Sequence, residues 1–166
     1  QKNTPMDHLV RGDVGFGKTE VALRSAFVVA AMGKQVAIVV PTTLLCRQHF
    51  KSFKERFVGF GLRVEQISRL VTQTQVSKIK KEVEEGCVDI LVATQGIFSK
   101  STNFKNLGLL VVDEEQHFGV VQKERLKERY PNVHVLTLTA TPIPRTLQMA
   151  LTGVREMSLI ATPPID

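Results

Sequence analysis

Residues Gly12-Asp13-Val14-Gly15-Phe16-Gly17-Lys18-Thr19 fit the pattern GxxxxGK[ST] and stand between a short apolar run, His8–Arg11, and a helix-length stretch, Lys18–Met32. A glycine-rich turn between a strand and a helix is the context this pattern needs in order to bind phosphate. Gly12, Gly15 and Gly17 let the backbone turn tightly, so that successive N–H groups and the positive end of the helix converge on one anionic group. In such a loop Lys18 carries its ammonium to the β- and γ-phosphates of a nucleotide, and the Thr19 hydroxyl is placed to coordinate Mg²⁺.

Working outward, apolar runs alternate with helix-length segments along the whole chain. The predicted strands are His8–Arg11, Val36–Val40, Leu62–Ile67, Val88–Ala93, Leu107–Val112, Val133–Leu138 and Met157–Ile160. Predicted helices occupy Lys18–Met32, Thr43–Phe57, Thr72–Glu85, Gln95–Ser99, Val120–Glu128 and Pro144–Leu151. Most strand segments are rich in Val, Ile and Leu, as strands buried on both faces are. The β-α-β alternation predicts a three-layer α/β/α domain with a mainly parallel central sheet, right-handed crossovers and ligand sites at the carboxyl ends of the strands.

Composition narrows the class further. The chain has 166 residues, 43% of them hydrophobic, a length at which one domain buries most of its surface without a metal or disulfide. No apolar run approaches the ~20 residues of a membrane span, so a cytoplasmic protein is expected and no membrane partner. Cys46 and Cys87 form no CxxC or Cys/His cluster, which points to inert thiols. The net charge of +6 lies wholly in residues 1–70, while residues 71–166 are balanced. Such an asymmetry fits either an anionic ligand or a solvated basic face.

Three further segments carry chemistry. Leu109-Leu110-Val111-Val112-Asp113-Glu114-Glu115-Gln116 delivers carboxylates to the end of a buried strand. Beside a phosphate loop, Asp113 becomes the outer partner of Mg²⁺ and Glu114 the group that orients and deprotonates a water. Val135-Leu-Thr-Leu-Thr139-Ala140-Thr141-Pro142 ends another apolar run in small hydroxyl residues, placed to sense the γ-phosphate, although a plain strand-to-turn transition explains it equally. Pro41-Thr42-Thr43-Leu44-Leu45 opens the helix bearing Arg47, Lys51 and Lys54, which fall within about 60° of one another on a helical wheel. Phe50, Phe53 and Phe57 share a different face and read as core. The three cations are either a solvated face or a surface that tracks a phosphate backbone.

Taken in order, these segments resemble the ATPase core of superfamily 2 helicases. Gly12–Thr19 is similar to motif I, Pro41–Leu45 to motif Ia, Asp113–Gln116 to the DExx box and Thr139–Thr141 to motif III. Gly-Asp-Val-Gly-Phe-Gly-Lys-Thr-Glu20, Phe118-Gly-Val and Thr-Ala-Thr-Pro-Ile-Pro-Arg-Thr-Leu147 resemble the group holding the RecG-type branch-migration helicases and the bacterial transcription-repair coupling factors. Phe16, Glu115 and the Leu-Thr-Leu before Thr139 lean toward the coupling factors.

The resemblance implies that residues 1–166 are a single RecA-like lobe of a larger double-stranded-DNA translocase, hydrolysing ATP with Mg²⁺ and displacing stalled RNA polymerase to promote excision repair. A second RecA-like lobe of the same chain would supply an arginine finger. It extends the nucleotide site to Asp13, Val14, Phe16 and Glu20, gives Gln116 a catalytic relay role, and makes Thr139, Ala140 and Thr141 coupling residues. Thr42, Thr43, Arg47 and Lys51, with Ser68, Arg69, Thr94 and Gln95, would face a DNA backbone. Gln116-His117 stands where many relatives have His-Arg. A small-molecule kinase or a GTPase-like switch is the rival outside this class, and the NKxD motif of the latter is not found.

Overall fold

The computed structural model describes residues 7–11, 16–95, 102–113 and 120–139. Six strands form one sheet: β1 (Asp7–Arg11), β2 (Gln35–Val40), β3 (Val64–Ile67), β4 (Ile90–Thr94), β5 (Leu107–Asp113) and β6 (His134–Thr139). They lie in the order β1-β6-β5-β2-β4-β3, and every neighbouring pair is parallel. The helices are α1 (Phe16–Ala31), α2 (Thr43–Phe57), α3 (Gln73–Glu84) and α4 (Val120–Arg129), with a 3₁₀ turn at Val58–Phe60. The expected elements at Gln95–Ser99, Pro144–Leu151 and Met157–Ile160 fall wholly or mostly outside the described residues.

Alternation along the strands builds two cores. Val36, Ile38 and Val40 of β2 point to one face of the sheet, where Ala22, Leu23 and Ala26 of α1 and Cys46, Phe53 and Phe57 of α2 cover them. Ala37 and Val39 point to the other face and meet Val76, Ile79 and Val83 of α3, with Leu126 and Tyr130 packed alongside. The result is the three-layer α/β/α arrangement expected from the runs of β-branched residues.

At the starts of β3 and β4, which come two residues later than the sequence predicts, side chains take up backbone groups. β3 begins at Val64 rather than Leu62 because the Arg63 N–H donates to the Asp89 carboxylate at 2.7 Å, while the Arg63 carbonyl accepts from the N–H groups of Asp89 and Ile90. β4 begins at Ile90 rather than Val88 because the Val88 carbonyl accepts from the Gln35 side chain. Gln35 is buried and fully engaged: its Nε2 donates to the carbonyls of Val83 (3.0 Å) and Val88 (2.9 Å), and its Oε1 accepts from the Asn106 N–H (2.9 Å). Gln35→Leu strands all three groups, so a loss of roughly 1–3 kcal/mol in urea unfolding is expected.

α1 and α2 each start at the carboxyl edge of the sheet and run back toward its amino edge. α1 stops in a Schellman arrangement, with Gly33 N–H bonding the Ala30 carbonyl and Lys34 N–H bonding the Val29 carbonyl. Gly33 has φ +84°, a value only glycine adopts without strain. α2 runs from Thr43 to Phe57 as the sequence predicts, because extended Thr42 (φ −132°, ψ 157°) caps it by accepting from the Leu45 N–H.

Candidate nucleotide site

Strand register brings the site's parts together. Arg11, the last residue of β1, lies opposite Thr139 on β6, and Leu138 lies opposite Asp113, the last residue of β5. The ends of β1 and β5, the start of α1 and the start of α2 after β2 therefore share one edge of the sheet. That is the edge at which open parallel sheets bind ligands.

Lys18 sits in the first turn of α1 and is buried at 7% exposure, and Asp113 is buried at 4%. Lys18 Nζ stands 3.5 Å from Asp113 Oδ1. On the other side His49 Nε2 lies 2.9 Å from Asp113 Oδ2. Burial by itself raises the Asp113 carboxyl, but the hydrogen bond from His49 and the charge of Lys18 outweigh it and hold the group below its ordinary range. Asp113 is thus ionised and accepts only, which places the proton of the His49 bond on Nε2.

A cavity of about 320 Å³ opens beside these groups, lined by Lys18, Thr19, Leu45, Gln48, His49, Ser52, Asp113 and Leu138. It joins the start of α1 to the inner face of α2, so Gln48, His49 and Ser52 belong to the site although the sequence reading did not name them. His49 left one signal: it shares the buried stripe Cys46, His49, Phe53, Phe57 and is the single imidazole in it.

The residues present fit a phosphate-bound Mg²⁺. Asp113 Oδ1 is buried and has no hydrogen-bond partner among the described residues, and Thr19 lines the same cavity. With only the Lys18 ammonium near it, at 3.5 Å, this buried oxygen keeps capacity for a further cation or a water.

Other expected residues fall differently. Glu20 pairs with Arg24 at 2.8 Å and with Arg56, and the Arg56 bond foremost lowers its carboxyl, so it serves a surface ion pair and does not line the cavity. Phe16 and Gly17 open α1, while Gly12, Asp13, Val14 and Gly15 lie outside the described residues. Glu114, Gln116, Ala140 and Thr141 lie outside them too, and Thr139 ends β6. Thr42, Arg47, Lys51 and Lys54 are exposed and Thr43 is half-buried. Of the Ser68–Arg69 pair only Arg69 reaches solvent, because Ser68 is 1% exposed and its Oγ accepts from the Leu70 N–H. Thr94 is buried and Gln95 half-buried. Cys46 is buried with its thiol pushed up to about 12, which makes it an inert core residue.

Residues 2–150 match the DEAD/DEAH box helicase family. The chain belongs to that family. Among curated relatives it is 58% identical over 166 residues to the transcription-repair-coupling factor of Myxococcus xanthus, covering all of this chain and 14% of that protein. It is 55% identical over 159 residues to that of Escherichia coli (strain K12), covering 96% of this chain and again 14% of the relative. The chain therefore spans about one seventh of the length of these relatives. Among solved structures, RecG bound to a three-way DNA junction superposes with a TM-score of 0.76 at 35% identity, covering 90% of this chain and 20% of that one. Among the described residues, no helix of this family member is long and apolar enough to cross a membrane.

The Asp113 ion cluster has a signature in acid. Its folded-state pKa is lowered, so it contributes stability that is fully present above the unfolded value of about 3.9 and is lost as pH falls through the folded value. Asp113→Asn should accordingly lower the urea midpoint at pH 7 and show a flatter decline than the parent below about pH 4.

Proposed function

We propose that this chain is the ATP-binding lobe of a double-stranded-DNA translocase of the transcription-repair-coupling type. In the whole protein, ATP hydrolysis between this lobe and a second RecA-like lobe would drive displacement of stalled RNA polymerase at lesions and promote excision repair. The observation that carries the reading is the convergence of buried Lys18 and Asp113 and half-buried Thr19 on one cavity, in a chain 53–58% identical to coupling factors along nearly all its length. Identity to RecG is lower, at 35%, which favours the coupling type over a branch-migration helicase.

Lys18 holds the β- and γ-phosphates, and its burial removes competing water, which strengthens the charge interaction. Thr19 and Asp113 would hold Mg²⁺, which when bound would neutralise charge developing on the phosphates. Glu114, next on the chain after Asp113, orients and deprotonates the attacking water, and Gln116 relays toward the DNA side. Thr139, Ala140 and Thr141 couple the γ-phosphate to neighbouring loops. Thr42, Thr43, Arg47 and Lys51, with Arg69 and half-buried Gln95, face the DNA backbone and read no bases, while buried Ser68 and Thr94 would reach it only on rearrangement.

The test uses a full-length protein carrying this chain. Glu114→Gln should keep ATP binding and abolish ATP-dependent release of a stalled polymerase; equal loss of binding would overturn its role. For DNA, reversing the charge of Arg47 and Lys51 should weaken duplex binding regardless of sequence, and each phosphate contact removed should flatten the log–log salt dependence by about 0.9. An unchanged slope would make α2's outer face a solvated surface.

A further inference from the structure

Asp113 is tethered from outside its own strand. His49 belongs to α2, its ring stands edge-on to Phe53 with centroids 6.2 Å apart, and its Nε2–H donates to Asp113 Oδ2 at 2.9 Å. Phe53 is fully buried, so the ring has little room to turn. With Oδ2 fixed in this way, rotation of the carboxylate is blocked and Oδ1 remains on the Lys18 side, 3.5 Å from Nζ and without a hydrogen-bond partner among the described residues.

An imidazole that clamps one carboxylate oxygen and leaves the other beside Lys18 and Thr19 in the cavity has the geometry of an outer-shell support for a metal ligand. Such groups pre-orient the ligand, and losing one typically costs about 10–100-fold in metal affinity or activity. We propose that His49 is a positioning residue for the nucleotide's Mg²⁺: it holds Asp113 with Oδ1 turned into the cavity. This inference rests on the reading of Asp113 as a metal partner. A plain core histidine would instead contribute only packing against Phe53, and its loss would change stability without changing the response to the metal.

The two roles separate in a binding experiment on a full-length protein carrying this chain, with a fluorescent ADP as probe. Affinity is measured with Mg²⁺ and with chelator, and the ratio is the metal-dependent increment. His49→Leu removes the donor and His49→Asn leaves an amide one bond too short. Both should lose roughly 10–100-fold of the increment while metal-free affinity changes less than about twofold. His49→Gln, which carries an N–H donor at similar reach, should restore most of it. Thermal melting identifies any variant that fails to fold, and Asn with Gln then carries the comparison alone. If His49→Asn and every folded His49→Leu sample keep the increment while Asp113→Asn loses it, His49 is a core residue and the inference is overturned. If Asp113→Asn keeps it as well, the reading of Asp113 falls together with the inference.

Discussion

Lys18→Ala will reduce Mg-nucleotide affinity by a factor of roughly tens to thousands, measured by calorimetry against the parent chain. Two losses combine. The phosphates lose a cation held in a nearly dry position, for Lys18 is 7% exposed, and Asp113 loses the charge 3.5 Å away that offsets its own burial. Truncating one member of a buried, paired charge costs about 2–5 kcal/mol, which at 1.4 kcal/mol per decade is a factor of tens to thousands. Lys18→Arg tests whether charge alone suffices. The planar guanidinium needs a fork of acceptors and more width than an ammonium, so it should recover only part of the affinity. Unchanged binding in Lys18→Ala, with melting showing a folded protein, would remove the phosphate loop from the nucleotide site.

Most of the sheet was legible because β2, β4 and β5 are continuous apolar runs, and buried parallel strands have no other simple explanation. α2 was legible at both ends: Thr42 caps it, and past Phe57 the chain tightens into a 3₁₀ turn and reverses at Gly61, whose φ is +72°. Lys18 and Asp113 were readable since each ends or begins an element whose neighbour is fixed by the parallel topology. His49 was not, because strand order decides which helix faces β5, and periodicity says only that position 49 is inward. The same limit explains Glu20 and Ser68. Their pairing and burial are set by distant parts of the chain, for Arg56, 36 residues away, bonds Glu20, and Ser68 after β3 is buried. Side-chain direction at the ends of elements is a tertiary property, and a motif supplies the residue type without its partner.

A steady-state assay of residues 1–166 alone should find turnover about 10³–10⁵-fold below that of the full-length protein, with no stimulation by duplex DNA. Transfer of a phosphoryl group requires cations around the charge that develops on the γ-phosphate, and an arginine finger contributes a factor of this order. Among the described residues lining the cavity, Lys18 is the only lysine or arginine. Arg11 ends β1 opposite Thr139 and belongs to the sheet, and Arg145, which follows Thr139–Thr141 in the sequence, lies outside the described residues. Neither matches the second-lobe arginine that the family resemblance implies. Translocation adds a second requirement, because stepping needs two bodies that close on ATP and reopen after hydrolysis. Nucleotide binding needs neither, so the isolated lobe should retain affinity within about tenfold of the full-length protein while losing turnover, a split expected when the missing group acts mainly in the transition state. Turnover within tenfold of the full-length rate, stimulated by DNA, would show instead that an arginine is supplied in cis or by a second copy of the lobe, and a dependence of the rate on protein concentration would tell these two apart.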